Sequence, residues 1–313
     1  MSEQPPQSSP RTSTRRTIIF IITLSFACAL ILSLLASALA KPKEIAKELD
    51  RSKQMMIAAK ILSHEGYFLI RNSDGHYVPA KFQPGGVLVP GNVKDIATQS
   101  ELIEIYQQRL IPILINDKGE VKSFQEADLN PEKYTTEYRR TGYYRQPWKL
   151  AYQILPNRDA QQKPNETPKP VGYIIPVNGY GLWDAIFGYL ALEPDGDTVI
   201  GISWYDQKET PGLGANISEA YWQNLFPGKK IFQESPDGKT DFKTAPLGIT
   251  VVKGKVSEVL GSSPKAKSAV DGMTGATLTG NGVTDAYKNV LAPYRPFFIK
   301  LHEENATPIG EAA

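Results

Sequence analysis

The sequence predicts an α+β chain with an antiparallel-rich sheet and flanking helices, preceded by one N-terminal transmembrane helix. Three observations lead there. Residues 17–40 contain no charged residue. A convincing hairpin joins Gly188-Tyr-Leu-Ala-Leu192 to Thr198-Val-Ile-Gly-Ile-Ser-Trp-Tyr205 through Pro194-Asp-Gly-Asp197, two β-rich runs around a glycine-containing turn. Elsewhere strands and helices do not alternate regularly, which favours α+β over a doubly wound sheet.

Residues 1–16 are polar, rich in Pro and Ser, end in Arg15-Arg16, and read as a disordered tail. The apolar run that follows, from Ile18-Ile-Phe-Ile-Ile22 through Leu34-Leu35, is long enough to cross a bilayer as one helix. Arg15-Arg16 and Ala38-Leu39-Ala40 would also suit a cleaved signal peptide. Such peptides have apolar regions of about 7–15 residues, so length decides for a retained anchor. Charge does not orient it: Arg11, Arg15 and Arg16 precede the span, and Lys41, Lys43, Lys47, Arg51 and Lys53 follow it.

Residues 41–165 are expected to form an N-terminal region between the span and the C-terminal domain. Lys43 to Leu62 has apolar residues at mostly helical spacing, as in an ordinary amphipathic packing helix. Tyr67-Phe-Leu-Ile70, Gly86-Val-Leu-Val89 and Leu110-Ile-Pro-Ile-Leu-Ile115 read as strands separated by turns such as Ser73-Asp74-Gly75. No clean period appears between Asp128 and Trp148. The proline-rich segment from Leu155 to Pro170 reads as an exposed connection.

Residues 166–313 form the C-terminal domain. Val171-Gly-Tyr-Ile-Ile-Pro-Val177 is an expected strand, and Asn178-Gly-Tyr-Gly-Leu-Trp-Asp184 an expected loop. The hairpin leads into Glu209-Thr-Pro-Gly-Leu-Gly214, a shaped Pro/Gly loop. Tyr221 to Phe226 reads as a short helix and Ile249-Thr-Val-Val-Lys253 as a further strand. From Gly282 on, Val283, Ala286, Tyr287, Val290 and Leu291 recur on one helical face, and Pro293 ends the pattern.

Composition excludes several functions. The formal charge is +2 and no basic stripe with interleaved aromatics occurs, so there is no nucleic-acid footprint. Cys28 is the single cysteine, which rules out an internal disulfide or a cysteine metal site. Three scattered histidines and no Gly-x-Ser-x-Gly elbow give no support to a zinc site or a hydrolase triad. Redox or transfer chemistry would have to come from a bound cofactor.

One stretch stands out, Asp271-Gly-Met-Thr-Gly-Ala-Thr-Leu-Thr279. Gly272, Gly275 and Ala276 permit close approach, and Thr274, Thr277 and Thr279 supply hydroxyls ahead of a helix. Free N–H groups and the positive end of the helix dipole would favour an anion there. A threonine-capped glycine turn accounts for the same residues.

Three segments in this order, Gly181-Leu-Trp-Asp-Ala-Ile-Phe-Gly-Tyr-Leu-Ala-Leu192, Glu209-Thr-Pro-Gly-Leu-Gly214 and Asp271-Gly-Met-Thr-Gly-Ala-Thr277, closely resemble the C-type subunits of sodium-translocating NADH:quinone reductases. The resemblance covers roughly residues 171–292. It implies an FMN-binding domain, with FMN joined by a phosphoester to the last threonine of Asp-x-x-[Ser/Thr]-Gly-Ala-Thr, here Thr277. Asp271, Thr274, Gly275 and Ala276 match the other fixed positions, and Leu278 follows the acceptor. Also implied around the flavin are Thr210, Pro211, Gly212 and Leu213 with Glu209 nearby, Leu182 and Trp183 packing or shielding, and Lys253 offering charge to flavin or phosphate.

The same resemblance implies partners and place. A magnesium-dependent flavin transferase with FAD as donor would load the chain outside the cytoplasm. That puts the bulk of the chain in the periplasm, on a single pass through the inner membrane. Electrons would arrive from an iron–sulfur centre in other membrane subunits and leave to another flavin, before quinone is reduced. Sodium export would belong to the whole complex. The FMN subunit of an Rnf-type electron-transport complex shares two of the loops and is the alternative, and a flavin-free anchored binding protein is a third.

Overall fold

The computed structural model describes residues 14–158 and 168–306. Two compact units divide between Asp50 and Arg51. In the first, helix α1 (Thr14–Ala38) is exposed on every side and is long and apolar enough to cross a membrane. It lies slightly N-terminal of the expected 17–40 span. Helix α2 (Ala40–Ala58) begins after a single turn residue and carries the chain into the second unit. Most of the expected disordered tail lies outside the described residues.

In the second unit, β1 (Phe68–Arg71), β2 (Tyr77–Gln83) and β3 (Val87–Pro90) make a small antiparallel sheet. Helix α3 (Gln99–Arg109) starts at a capping box: Thr98 Oγ1 accepts from Glu101 N–H, while the Glu101 carboxylate accepts from Thr98 N–H. It runs directly into β4 (Leu110–Ile115), which turns back through β5 (Val121–Lys122). Helix α4 (Pro131–Tyr138) follows, with Asn130 capping Lys133 N–H and proline in the first turn. This is ordered structure where the sequence showed no period.

Strands β6 (Lys149–Ile154), β7 (Gly172–Tyr180), β8 (Ala185–Leu192) and β9 (Val199–Asp206) complete a six-stranded sheet. Its order is β5-β4-β6-β7-β8-β9, antiparallel throughout. The sheet is continuous across residue 165, so 41–165 and 166–313 share one sheet rather than forming two. The proline-rich connection between β6 and β7 lies largely outside the described residues. The chain then makes α5 (Ala220–Gln223), β10 (Thr250–Val251), α6 (Val256–Val259) and β11 (Ala269–Val270), which pairs parallel with β10. Helices α7 (Thr277–Leu291) and α8 (Arg295–Ala306) follow.

Both faces of the large sheet are buried, because alternate residues point to opposite sides. Tyr173, Ile175 and Val177 of β7 join Trp204, Trp222, Phe226, Val283, Tyr287 and Phe298 in one core. Ile174, with Tyr152 and Tyr189, joins Met56, Phe68, Leu102, Ile105 and Tyr134 in the other. The N-terminal region therefore covers one face, and α7 and α8 cover the face that leads to the functional site.

Several boundaries differ from the sequence pattern. Helix α7 starts at Thr277, among the hydroxyls and ahead of the apolar period that begins at Gly282, and its interior glycines mark close approach: a Cβ at Gly282 would lie 2.0 Å from the Tyr180 carbonyl oxygen. Strand β7 continues to Tyr180, which shortens the expected 178–184 loop. The expected 249–253 strand is only Thr250–Val251, leaving Lys253 in the following turn. The expected 221–226 helix is the single turn Ala220–Gln223.

Candidate functional site

At the carboxyl end of β7 the chain turns through residues 181–184, closed by Gly181 N–H donating to the Asp184 carbonyl at 2.9 Å. Strand β9 ends beside it and delivers the loop at 209–214. The N-terminus of α7 meets both, because Gly179 and Gly282 let the helix lie directly on β7: a Cβ at Gly179 would be 2.5 Å from Ala286 Cβ.

Glu209 joins these three pieces. Its carboxylate accepts from Leu182 N–H at 3.1 Å, Trp183 N–H at 3.0 Å and the Thr279 hydroxyl at 2.5 Å. It is buried, and so is Thr279. Burial by itself would raise the carboxyl pKa. The Thr279 hydroxyl and the amides of Trp183, Leu182 and Asp184 outweigh burial and hold it below the usual carboxylate range. Room for this carboxylate comes from Gly181 and Gly214. A Cβ at Gly181 would sit 2.4 Å from Glu209 Oε1, and one at Gly214 would sit 2.4 Å from Thr279 Oγ1.

The 271–279 stretch is a tight turn that becomes a helix. Ala276 N–H donates to the Met273 carbonyl at 3.1 Å, with Gly275 at φ +75°, a conformation other residues rarely adopt. Thr277 is the first helical residue, and no side chain caps the helix N-terminus. The first-turn amides are therefore available to an anion. Thr274, Thr277 and Leu278 are exposed, and Ala276 is buried beneath them.

Two hollows meet at Gly275, Ala276 and Thr277. One, about 250 Å³, is walled by Val252, Lys253, Gly254, Gly272, Thr274 and Asn281. The other, about 180 Å³, is walled by Leu182, Glu209, Thr210, Leu213, Leu278 and Thr279. The first carries a lysine, Lys253, while the second carries three leucines and Glu209. Trp183 stands 68% exposed at the edge, its indole N–H donating to Thr210 Oγ1 at 3.1 Å.

The structure thus brings Thr274, Gly275, Ala276, Thr277, Leu278, Leu182, Glu209, Thr210, Leu213 and Lys253 to the two hollows. Pro211 and Gly212 lie exposed in the loop, and Trp183 stands beside it; none of the three lines either hollow. Asp271 lines neither. Sequence pattern does not single out Gly181, Gly214 and Asn281 as site residues, and it gives Thr279 only as a spare hydroxyl. The close spacing of Gly212 and Gly214 in the loop is the available signal for Gly214.

The FMN-binding domain family matches residues 181–292, which contain both hollows. Over the whole chain, the NqrC subunit of the Na(+)-translocating NADH-quinone reductase from Chlamydia caviae is 40% identical, covering 97% of this chain and 98% of its own length. The corresponding subunit of Chlamydia pneumoniae is 42% identical and covers 91% of each chain. Among solved structures, the same subunit from Parabacteroides distasonis matches with TM-score 0.50 at 25% identity, over 83% of this chain and 96% of that one. NqrC of Shewanella oneidensis shares the fold, with TM-score 0.52 at 23% identity over 82% and 99%. At 40% identity along nearly the full length of both chains, this protein belongs to the NqrC family, the C-type subunits of Na+-translocating NADH-quinone reductases.

Proposed function

We propose that Thr277 carries FMN through a phosphoester, and that the chain is the anchored electron carrier of its complex. It would relay electrons from a membrane iron–sulfur centre towards another flavin and finally quinone, with sodium export driven by the assembled subunits. The observation that carries this reading is the placement of Thr277: an exposed hydroxyl on the first turn of an uncapped helix, where two hollows meet.

The residues present fit an FMN. Gly272 lets its segment pack closely on Val252, whose carbonyl oxygen would lie 2.0 Å from a Cβ there, and Gly275 lies against Leu213, whose Cδ2 would be 3.0 Å from a Cβ; these close approaches shape the hollows on either side of Thr277. First-turn amides of α7 and Lys253 would hold the phosphate. Leu182, Leu213 and Leu278 would offer an apolar bed for the ring, and Thr210 a hydroxyl at its edge. Bound there, FMN supplies electron-transfer chemistry that no side chain of this protein supplies. The protein's part is to fix position and limit water.

A threonine hydroxyl is a weak nucleophile without an outside base. A flavin transferase acting in the periplasm would supply that activation, with α1 as the inner-membrane anchor and the residues before it in the cytoplasm. In this reading residues 166–313 form the FMN-binding domain and 41–165 its extracytoplasmic support.

The test is co-expression with a flavin transferase, denaturing electrophoresis and in-gel fluorescence. Wild type should fluoresce and Thr277→Ala should be dark. Fluorescence persisting on Thr277→Ala overturns the acceptor; a dark wild type overturns the covalent reading.

A further inference from the structure

Asp271 opens the threonine stretch, and its position in the motif suggests contact with the cofactor. Its geometry says otherwise. Oδ1 accepts from Val256 N–H at 2.7 Å, and its carbonyl oxygen accepts from the buried Trp222 indole N–H at 3.1 Å. Val256 is the first residue of α6, and Lys255 before it provides no side-chain cap. Asp271 therefore caps α6 from outside, with a charge-assisted bond to a backbone donor that has no partner within the helix.

The contact is one of a series along the same two segments. Val252 N–H donates to the Val270 carbonyl at 3.0 Å, and Gly272 N–H to the Gly254 carbonyl at 2.8 Å. Together with Val256 they tie residues 252–256 to 270–272, immediately beside the turn that presents Thr277. Lys253 sits between the tied points and lines the hollow that Asp271 does not line.

We propose that Asp271 is a positioning residue. Its carboxylate fixes the Lys253 wall of the Thr277 hollow by holding Val256 N–H, and it touches neither phosphate nor ring. The proposal rests on FMN attachment at Thr277 for one of its two readouts only. An asparagine can keep the Oδ1 acceptor, so Asp271→Asn should behave as wild type, whereas Asp271→Ala should not.

Val256→Pro removes the donor from the other side. Lys255 has φ −94° and ψ 142°, the extended conformation a following proline requires, and proline is well tolerated at the first position of a helix. This variant leaves the carboxylate in place and deletes its donor, with a proline ring in place of the half-buried valine side chain.

The experiment uses the full chain co-expressed with a flavin transferase. Hydrogen exchange of the 252–260 segment reports the wall, and in-gel flavin fluorescence reports loading. Asp271→Ala and Val256→Pro should each speed exchange about tenfold in that segment and lower loading at least fivefold, with Asp271→Asn matching wild type in both. Asp271→Asn losing flavin while exchange stays at the wild-type rate would mean the charge acts directly, and overturns the proposal. Unchanged exchange in Asp271→Ala also overturns it. A wild type without flavin defeats the attachment reading alone, and the exchange rates then decide the role of Asp271.

Discussion

Both walls of the Thr277 site are held by an acidic side chain that accepts from backbone amides, and they are held very differently. On the leucine-lined side, buried Glu209 takes three donors and ties a loop 26–27 residues away to a helix 70 residues away. On the Lys253 side, partly exposed Asp271 takes one side-chain contact across 15 residues, and backbone pairing of the same segments does the rest. The first wall depends on one carboxylate. The second spreads the task over several weaker ties, so a single change should harm it less.

The largest expected difference comes from deleting each acid. Glu209→Ala leaves two amides and a buried hydroxyl without their acceptor and should cost about 3 kcal/mol of unfolding free energy. Asp271→Ala should cost only about 1 kcal/mol. Urea titrations at pH 7 measure both, and equal losses would break the comparison.

A second contrast uses the glycines that seat each wall. Gly282 and Gly272 would each place a Cβ 2.0 Å from a carbonyl oxygen, of Tyr180 and Val252 respectively. Overpacking costs about 3 kcal/mol at its usual upper end, and alanine returns about 1 kcal/mol in a helix interior. Gly282→Ala should therefore lose about 2 kcal/mol, because α7 cannot lift from β7 without opening the core. Gly272→Ala lies in a turn that can shift, and should lose about 1 kcal/mol with a larger effect on flavin loading than on melting.

The smallest effect is in pH. The Glu209 carboxyl is held below its ordinary value of 4.5, so its stabilisation is complete above that value and is lost as pH falls through the depressed one. The stability gap between wild type and Glu209→Gln, about 1–2 kcal/mol at pH 7, should narrow in acid. Parallel melting curves from pH 7 to pH 3 check the sign.

Much of the frame was legible because local pattern and tertiary role agreed. Leu110–Ile115 is an apolar run that became a central strand, and the hairpin of β8 and β9 lies close to its sequence signature. Other elements were hidden. Pro79 interrupts the alternation of β2, and β6 begins with Lys149, a buried lysine ion-paired with Asp117. The first turn of α7 carries no apolar period, because Gly280 and Gly282 stand where the helix lies against Val251 and Tyr180, so only its hydroxyls mark it. At the site, the Thr277 turn could be read from neighbours in sequence. The Glu209 clamp could not, since its partners lie on two other segments and nothing in Glu-Thr-Pro-Gly-Leu-Gly specifies them. The bond of Asp271 was hidden for the same reason: its partner Val256 carries no side-chain signal, only an N–H.

The spans of these two ties also set an order of assembly. From β7 onward each strand of the large sheet pairs with the one before it, so the platform can grow by short closures as the chain lengthens. Closing a 70-residue loop costs about 1.4 kcal/mol more chain entropy than closing one of 15, from (3/2)RT ln(70/15). The Asp271 side can thus form early from local chain, while the Glu209 clamp closes last, when α7 docks on a finished sheet. A modifying enzyme that reads the assembled leucine-lined wall would meet only chains that have completed folding.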